Sequence, residues 1–125
     1  MESLKYVLIC ALIFLLSGCI FDSEKKKKAK FEIVYTSEDM WRDCPSLQLV
    51  VKNIGNLTGY DVYVTVYAKD AFGNVLDTAT NYADHGYSIR PGNTGDCEAI
   101  FYKLKSHDDY SKLEYKLTWV TVETE

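Results

Sequence analysis

The stretch Tyr60-Asp61-Val62-Tyr63-Val64-Thr65-Val66-Tyr67-Ala68-Lys69 decides the fold of this 125-residue chain. Tyr60, Val62, Val64 and Val66 recur at every second position, so a strand puts them on one face and Asp61, Tyr63, Thr65, Tyr67 and Lys69 on the other. Working outward, Val75 to Tyr82 is predicted as the next strand. It is reached through Asp70-Ala71-Phe72-Gly73-Asn74, where Gly73 can take the left-handed conformation that a hairpin loop needs. On the N-terminal side, Leu47 to Lys52 alternates Leu47, Leu49 and Val51 against Gln48, Val50 and Lys52, and Phe31 to Thr36 is short and rich in β-formers. Gly95 to Leu104 follows the Pro91-Gly92 turn. Leu113 to Val122 closes the chain, with Leu113, Tyr115, Leu117 and Trp119 opposed to Glu114, Lys116, Thr118 and Val120. No long helical pattern competes.

Six or seven short strands with turns at regular intervals and one apolar face each predict an all-β fold, an immunoglobulin-like antiparallel β-sandwich over residues 31–125. The pattern also resembles the FxLYD domain of prokaryotic secreted and lipid-anchored proteins. The residues that carry this resemblance are Val50-Val51-Lys52-Asn53-Ile54-Gly55, the strand Tyr60 to Tyr67, Asp70 with Gly73-Asn74-Val75, and Ile89-Arg90-Pro91-Gly92 ahead of a strand containing Phe101. The family's Tyr-Asp pair is spread here to Tyr67 and Asp70, with Ala68 and Lys69 between them. These are turn and core signatures, so the resemblance implies a sandwich rather than an activity.

Ahead of the domain, Leu16-Ser17-Gly18-Cys19 ends an apolar run that opens with a lone cation, Lys5. It reads as a lipobox. In such a motif the Cys thiol takes a diacylglyceryl group and a peptidase cuts before it, and small residues at 17 and 18 allow the enzyme to grip an extended backbone. Residues 1–18 are then a lipoprotein signal peptide, and Cys19 ties the protein to membrane lipid on the extracytoplasmic face of the cell membrane. The rival is an uncleaved transmembrane helix. Val7 to Phe21 is only 15 residues long, whereas crossing the hydrocarbon takes roughly 20. The Lys25-Lys26-Lys27-Lys28 run that follows would suit the cytoplasmic flank of such a helix.

Removing residues 1–18 leaves 107, enough for one small domain. Ile20 to Lys30 carries five Lys against Asp22 and Glu24, a net charge of +3, and has no apolar period. With Cys19 it reads as a lipidated linker, residues 19–30. Eleven residues span at most roughly 36 to 40 Å and average roughly 18 Å as a coil, so the domain stays close to the bilayer. Near an anionic leaflet each Lys adds about 1 kcal/mol of attraction; a solvated spacer is the alternative role. Residues 31–125 carry 8 Lys and Arg against 15 Asp and Glu, a net of −7. An acidic domain argues against a nucleic-acid partner.

Cys10 leaves with the signal peptide and Cys19 is consumed by lipid, so Cys44 and Cys97 remain as a pair in a compartment that permits disulfides. A bridge would close a 54-residue loop and add roughly 4 kcal/mol in the chain-entropy model. Zinc is a weaker alternative, because two lone Cys lack CxxC spacing and a nearby His. If the Leu47 strand pairs antiparallel with the Gly95 strand, Cys44 lies near the end of its partner and Cys97 near its start, so a bridge, which needs Cα atoms within roughly 7 Å, requires residues 37–44 to fold back across the sheet, and otherwise the thiols stay free; compartment and pairing arithmetic favour the disulfide.

His85 beside Asp84, and His107 beside Asp108 and Asp109, sit in predicted loops where short polar residues are common, so no metal site is assigned. No GxSxG or comparable nucleophile motif is present. Neither an enzyme nor a cofactor is expected. Asn56-Leu57-Thr58 is a glycosylation sequon in a predicted surface turn. Two functions remain. One is a lipid-anchored, non-catalytic binding or scaffold module that meets an envelope protein or extracellular ligand through Tyr63 and Tyr67, on the face opposite the valines. The other is an accessory protein capturing solutes or cations at the membrane surface, for which Asp108 with Asp109 and Glu38 with Asp39 offer the only carboxylate pairs.

Overall fold

The computed structural model describes residues 27–122; Cys19, the lipobox and the apolar run lie outside these. The described residues form six strands in the order β1 (Phe31–Trp41), β2 (Cys44–Asn53), β3 (Tyr60–Lys69), β4 (Val75–Tyr82), β5 (Thr94–Ile100) and β6 (Lys112–Val120). They form two three-stranded antiparallel sheets, β1-β2-β5 and β4-β3-β6. Among the described residues no helix is long and apolar enough to cross a membrane.

The alternation read in β2 and β3 builds the core. Leu47, Leu49 and Val51 from one sheet and Val62, Val64, Val66 and Ala68 from the other join one buried cluster with Phe31, Ile89 and Phe101. Leu113, Leu117 and Trp119 of β6 pack against it half-buried. Tyr60 departs from the predicted face. Asp61 adopts a left-handed φ of 50° and the β3–β6 register slips between Tyr60 and Tyr63. The bulge breaks the two-residue period and leaves Tyr60 exposed.

Strand ends differ from expectation at the open edges. β1 runs on to Trp41 and turns through Arg42 and Asp43 into β2. β5 stops at Ile100, because Phe101 turns inward, its N–H donating to Pro45 O and its carbonyl accepting from Leu104 N–H. Buried Asp77 accepts from Lys103 N–H at 2.9 Å and holds this turn against β4. Between the sheets, Asn81 of β4 donates to Glu98 O of β5 at 2.9 Å.

The linker ends earlier than residue 30. Ala29 is buried. Ile54 N–H donates to Lys30 O at 2.6 Å and Asn56 N–H to Lys28 O at 2.9 Å, so Lys28 to Lys30 lies along the β2–β3 loop as an extension of β1. Lysine content hid this from the sequence, since these contacts use main chain and one methyl group.

The Cys44–Cys97 disulfide does not form; both thiols are free. β2 and β5 pair as expected, and the register puts Cys97 opposite Leu49. Cys44 is five residues farther along β2, roughly 17 Å at the strand rise. Each thiol faces its own acceptor instead, Cys44 Sγ lying 3.9 Å from Tyr102 O and Cys97 Sγ 3.6 Å from Asn81 O. Burial, reinforced by Glu98, pushes the Cys97 thiol up to about 11.

Candidate surface site on the β4-β3-β6 sheet

β3 is the central strand of its sheet, so the side chains opposite Val62, Val64 and Val66 form the middle of an outward face. Antiparallel register assembles three zones on it. Tyr63 sits opposite Tyr82 of β4, with ring centroids 5.4 Å apart and planes tilted by 58°. Thr65 sits opposite Thr80, their hydroxyls 3.3 Å apart. Tyr67 sits opposite Glu114 of β6, and Lys69 next along the face pairs with Glu114. Tyr67, Lys69, Val75, Glu114, Tyr115 and Lys116 line a shallow pocket of about 350 Å³.

Tyr63 and Tyr67 are both half-buried. The ring of Tyr63 leans on Tyr82, which is 50% exposed. Offset and tilted aromatic pairs add roughly 0.5 to 1.5 kcal/mol beyond area burial and stiffen both rings. Tyr82 is the residue that sequence reading missed. It closes its strand where alternation is fading, and only the β3–β4 register brings it beside Tyr63. On the β6 side of the same ring, Thr118 stands opposite Tyr63, its Oγ1 buried without a hydrogen-bond partner.

Chemically, the face offers a rigid aromatic pair, a hydroxyl rung and an ion pair beside a hollow. These groups can stack on and hydrogen-bond an extended ligand.

The remaining sequence candidates serve the fold. His107 Nε2–H donates to Asp39 O at 2.8 Å, because a carbonyl only accepts, and Nδ1 then accepts from the Tyr110 hydroxyl at 2.6 Å. This pins the Ser106–Tyr110 loop to β1. Burial, with Glu38 and Tyr115 nearby, pushes the Tyr110 phenol up to about 12. Asp109 accepts from Lys105 and Ser106 N–H groups, and Asp39 from Met40 N–H. One carboxylate of each pair, Asp109 and Asp39, is thereby spent on a local turn, and among the described residues no group of three or more His, Cys, Asp or Glu gathers to hold a metal. His85 and Asp84 occupy consecutive left-handed positions, φ 57° and 53°. Asn56 is exposed, and its Oδ1 accepts from Lys28 N–H at 2.8 Å.

No family model and no curated protein matches the chain.

Proposed function

We propose that the chain is a lipid-anchored, non-catalytic binding module, an immunoglobulin-like sandwich of FxLYD type. It is held by Cys19 at the extracytoplasmic face of the cell membrane and presents the outer face of β4-β3-β6 to an envelope protein or extracellular ligand. The observation that carries the binding surface is the pairing of Tyr63 with Tyr82 on the outward side of a central strand whose inward side is fully committed to the core. Large, stiff aromatic groups lose little entropy on docking and dominate binding energy where they anchor interfaces. Tyr67 and the neighbouring hollow extend the face to roughly the length of a short extended segment. The lipid anchor rests on Leu16-Ser17-Gly18-Cys19.

The test is in-cell crosslinking of the full-length protein followed by identification of captured envelope components. A partner captured by the unsubstituted protein is expected to disappear in the Tyr63→Ser, Tyr67→Ser double variant and to persist in Tyr35→Ser, a control 58% exposed on the other sheet. Capture of the same partner by the double variant would overturn the assignment of this face.

A further inference from the structure

We infer that the end of the domain where Lys28 to Lys30 docks is a membrane-contact surface, whose partner is the anionic lipid surface beneath it; this rests on the Cys19 anchoring proposed above. Three observations meet at this end. The first is place. Gly55 is wedged against the Lys28–Lys30 main chain and Gly59 against the Phe31 ring, while Phe31 stacks on Trp119 at 5.1 Å. Residues 28–31, 54–60 and 119–120 therefore share one end of the sheets, and the Asp70–Asn74 turn lies at the other end of β3.

The second observation is apolar exposure. Ile54, Tyr60 and Val120 are 42%, 40% and 53% exposed here, and Tyr60 and Val120 are partners across β3 and β6. The bulge at Asp61 turns Tyr60 out of the core and into this group. Aliphatic side chains beside an amphipathic ring suit the boundary between headgroups and acyl chains.

The third observation is charge together with reach. Lys27, Lys28 and Lys30 enter the domain at this end, with Lys25 and Lys26 just ahead, whereas residues 31–125 carry a net of −7. Arg90, on the turn whose Ile89 bridges Gly59, adds a cation that Asp61 offsets, Glu32 and Lys52 cancel across β1 and β2, and Glu123 and Glu125, which follow Val122 in sequence, reduce the excess without removing it. A basic end on an acidic body orients the molecule, drawing this end toward anionic headgroups and turning the rest away. Only residues 20–27 separate Cys19 from Lys28, and eight residues span at most roughly 26 to 29 Å in any conformation. A lipid on Cys19 thus holds this end within reach of the headgroups continuously. The tyrosine face starts at Tyr63, three residues from Tyr60, and runs up β3 to Tyr67, so its far half lies away from that contact and stays open to a partner.

The experiment uses the full-length protein purified in detergent from bacterial membranes and reconstituted into vesicles of phosphatidylglycerol and phosphatidylethanolamine. A photoreactive amino acid replaces Ile54, Val120 or Phe72; Phe72 is 90% exposed in the Asp70–Asn74 turn and serves as the far-end control. Lipid crosslinks are expected at 54 and 120 and not at 72. Their yield should fall severalfold in pure phosphatidylcholine, or when salt rises from 0.1 to 1 M and shortens screening from roughly 10 to 3 Å. Equal yields at 54 and 72, in protein carrying the fatty acid, would overturn the docking surface and leave the anchor standing. Crosslinks at 54 and 120 in protein without fatty acid would withdraw the anchor and support the surface. Absence of both overturns both.

Discussion

Asn53 shows how one side chain binds three segments. It is fully buried. Its Nδ2 donates to Leu57 O and Ile89 O, both at 2.9 Å, and its Oδ1 accepts from Gly55 N–H at 2.9 Å and Lys30 N–H at 3.4 Å. Its own N–H and C=O close on Asn93 and Gly92. Removing it orphans buried backbone groups at about 1 to 3 kcal/mol each, so Asn53→Ala is expected to cost about 3 kcal/mol or more in urea unfolding. Asn53→Asp should be at least as damaging, because it aims a second oxygen at two carbonyls. Ser46 is the opposite case, fully buried with an unpartnered hydroxyl. Ser46→Ala is expected to raise the urea midpoint, by about 1 kcal/mol in stability, since it removes a desolvated group that gains nothing. The importance of Asn53 was half legible in the sequence, as part of Asn53-Ile54-Gly55. Its partners were not, because Lys30 and Ile89 reach it only through the fold.

At the element scale, β3 and β4 were legible to their ends, since a run of alternating valines bounded by Asp70 and Gly73 states both period and turn. Asp70 accepts from Phe72 and Asn74 N–H groups, and the hydrogen bond from the Asn74 side chain does most to hold its carboxyl below the usual carboxylate range. The second half of β1 was not legible. It is an edge strand with few buried residues, and its Arg42-Asp43 turn lacks the Asn-Gly chemistry that announces a hairpin, with Arg42 at φ 56°. The Lys28–Lys30 extension makes its own prediction. A Cβ on Gly55 would collide with the Lys28 carbonyl oxygen, so Gly55→Ala should cost about 1 to 3 kcal/mol and free the Ile54 and Asn56 amides to exchange rapidly with deuterium. For β3, Val64→Ala should lose about 1 to 3 kcal/mol through a cavity. Tyr63→Ser should lose less, because one side of its ring faces water. A larger loss for Tyr63→Ser would withdraw the tyrosine surface.

At the scale of the molecule, the acid-base groups that the fold pushes upward among the described residues are neutral and buried or half-buried. Cys97 is raised to about 11, Tyr110 to about 12, and Tyr115 is raised by burial and Glu38. Their contribution is complete below the unfolded thiol's value near 9, where both states hold the proton. It is lost as pH climbs from about 9 through 12, because the unfolded chain releases its protons first. Thermal melts should therefore drop in alkali, and Cys97→Ala should flatten the first part of that drop. The same pH range reads the free thiols: alkylation of unreduced, denatured protein should modify both Cys44 and Cys97, whereas the native protein should protect Cys97. Compartment reasoning favoured a bridge, and register overruled it. Above all, the account makes the domain a device for holding a tyrosine face close to a membrane, which depends on one thiol. Metabolic labelling of full-length protein and Cys19→Ala with a fatty-acid analogue, read in membrane and soluble fractions, tests this directly. Label on the unsubstituted protein and none on an unprocessed Cys19→Ala precursor is the predicted result; label persisting on Cys19→Ala, or absent from both, would contradict it.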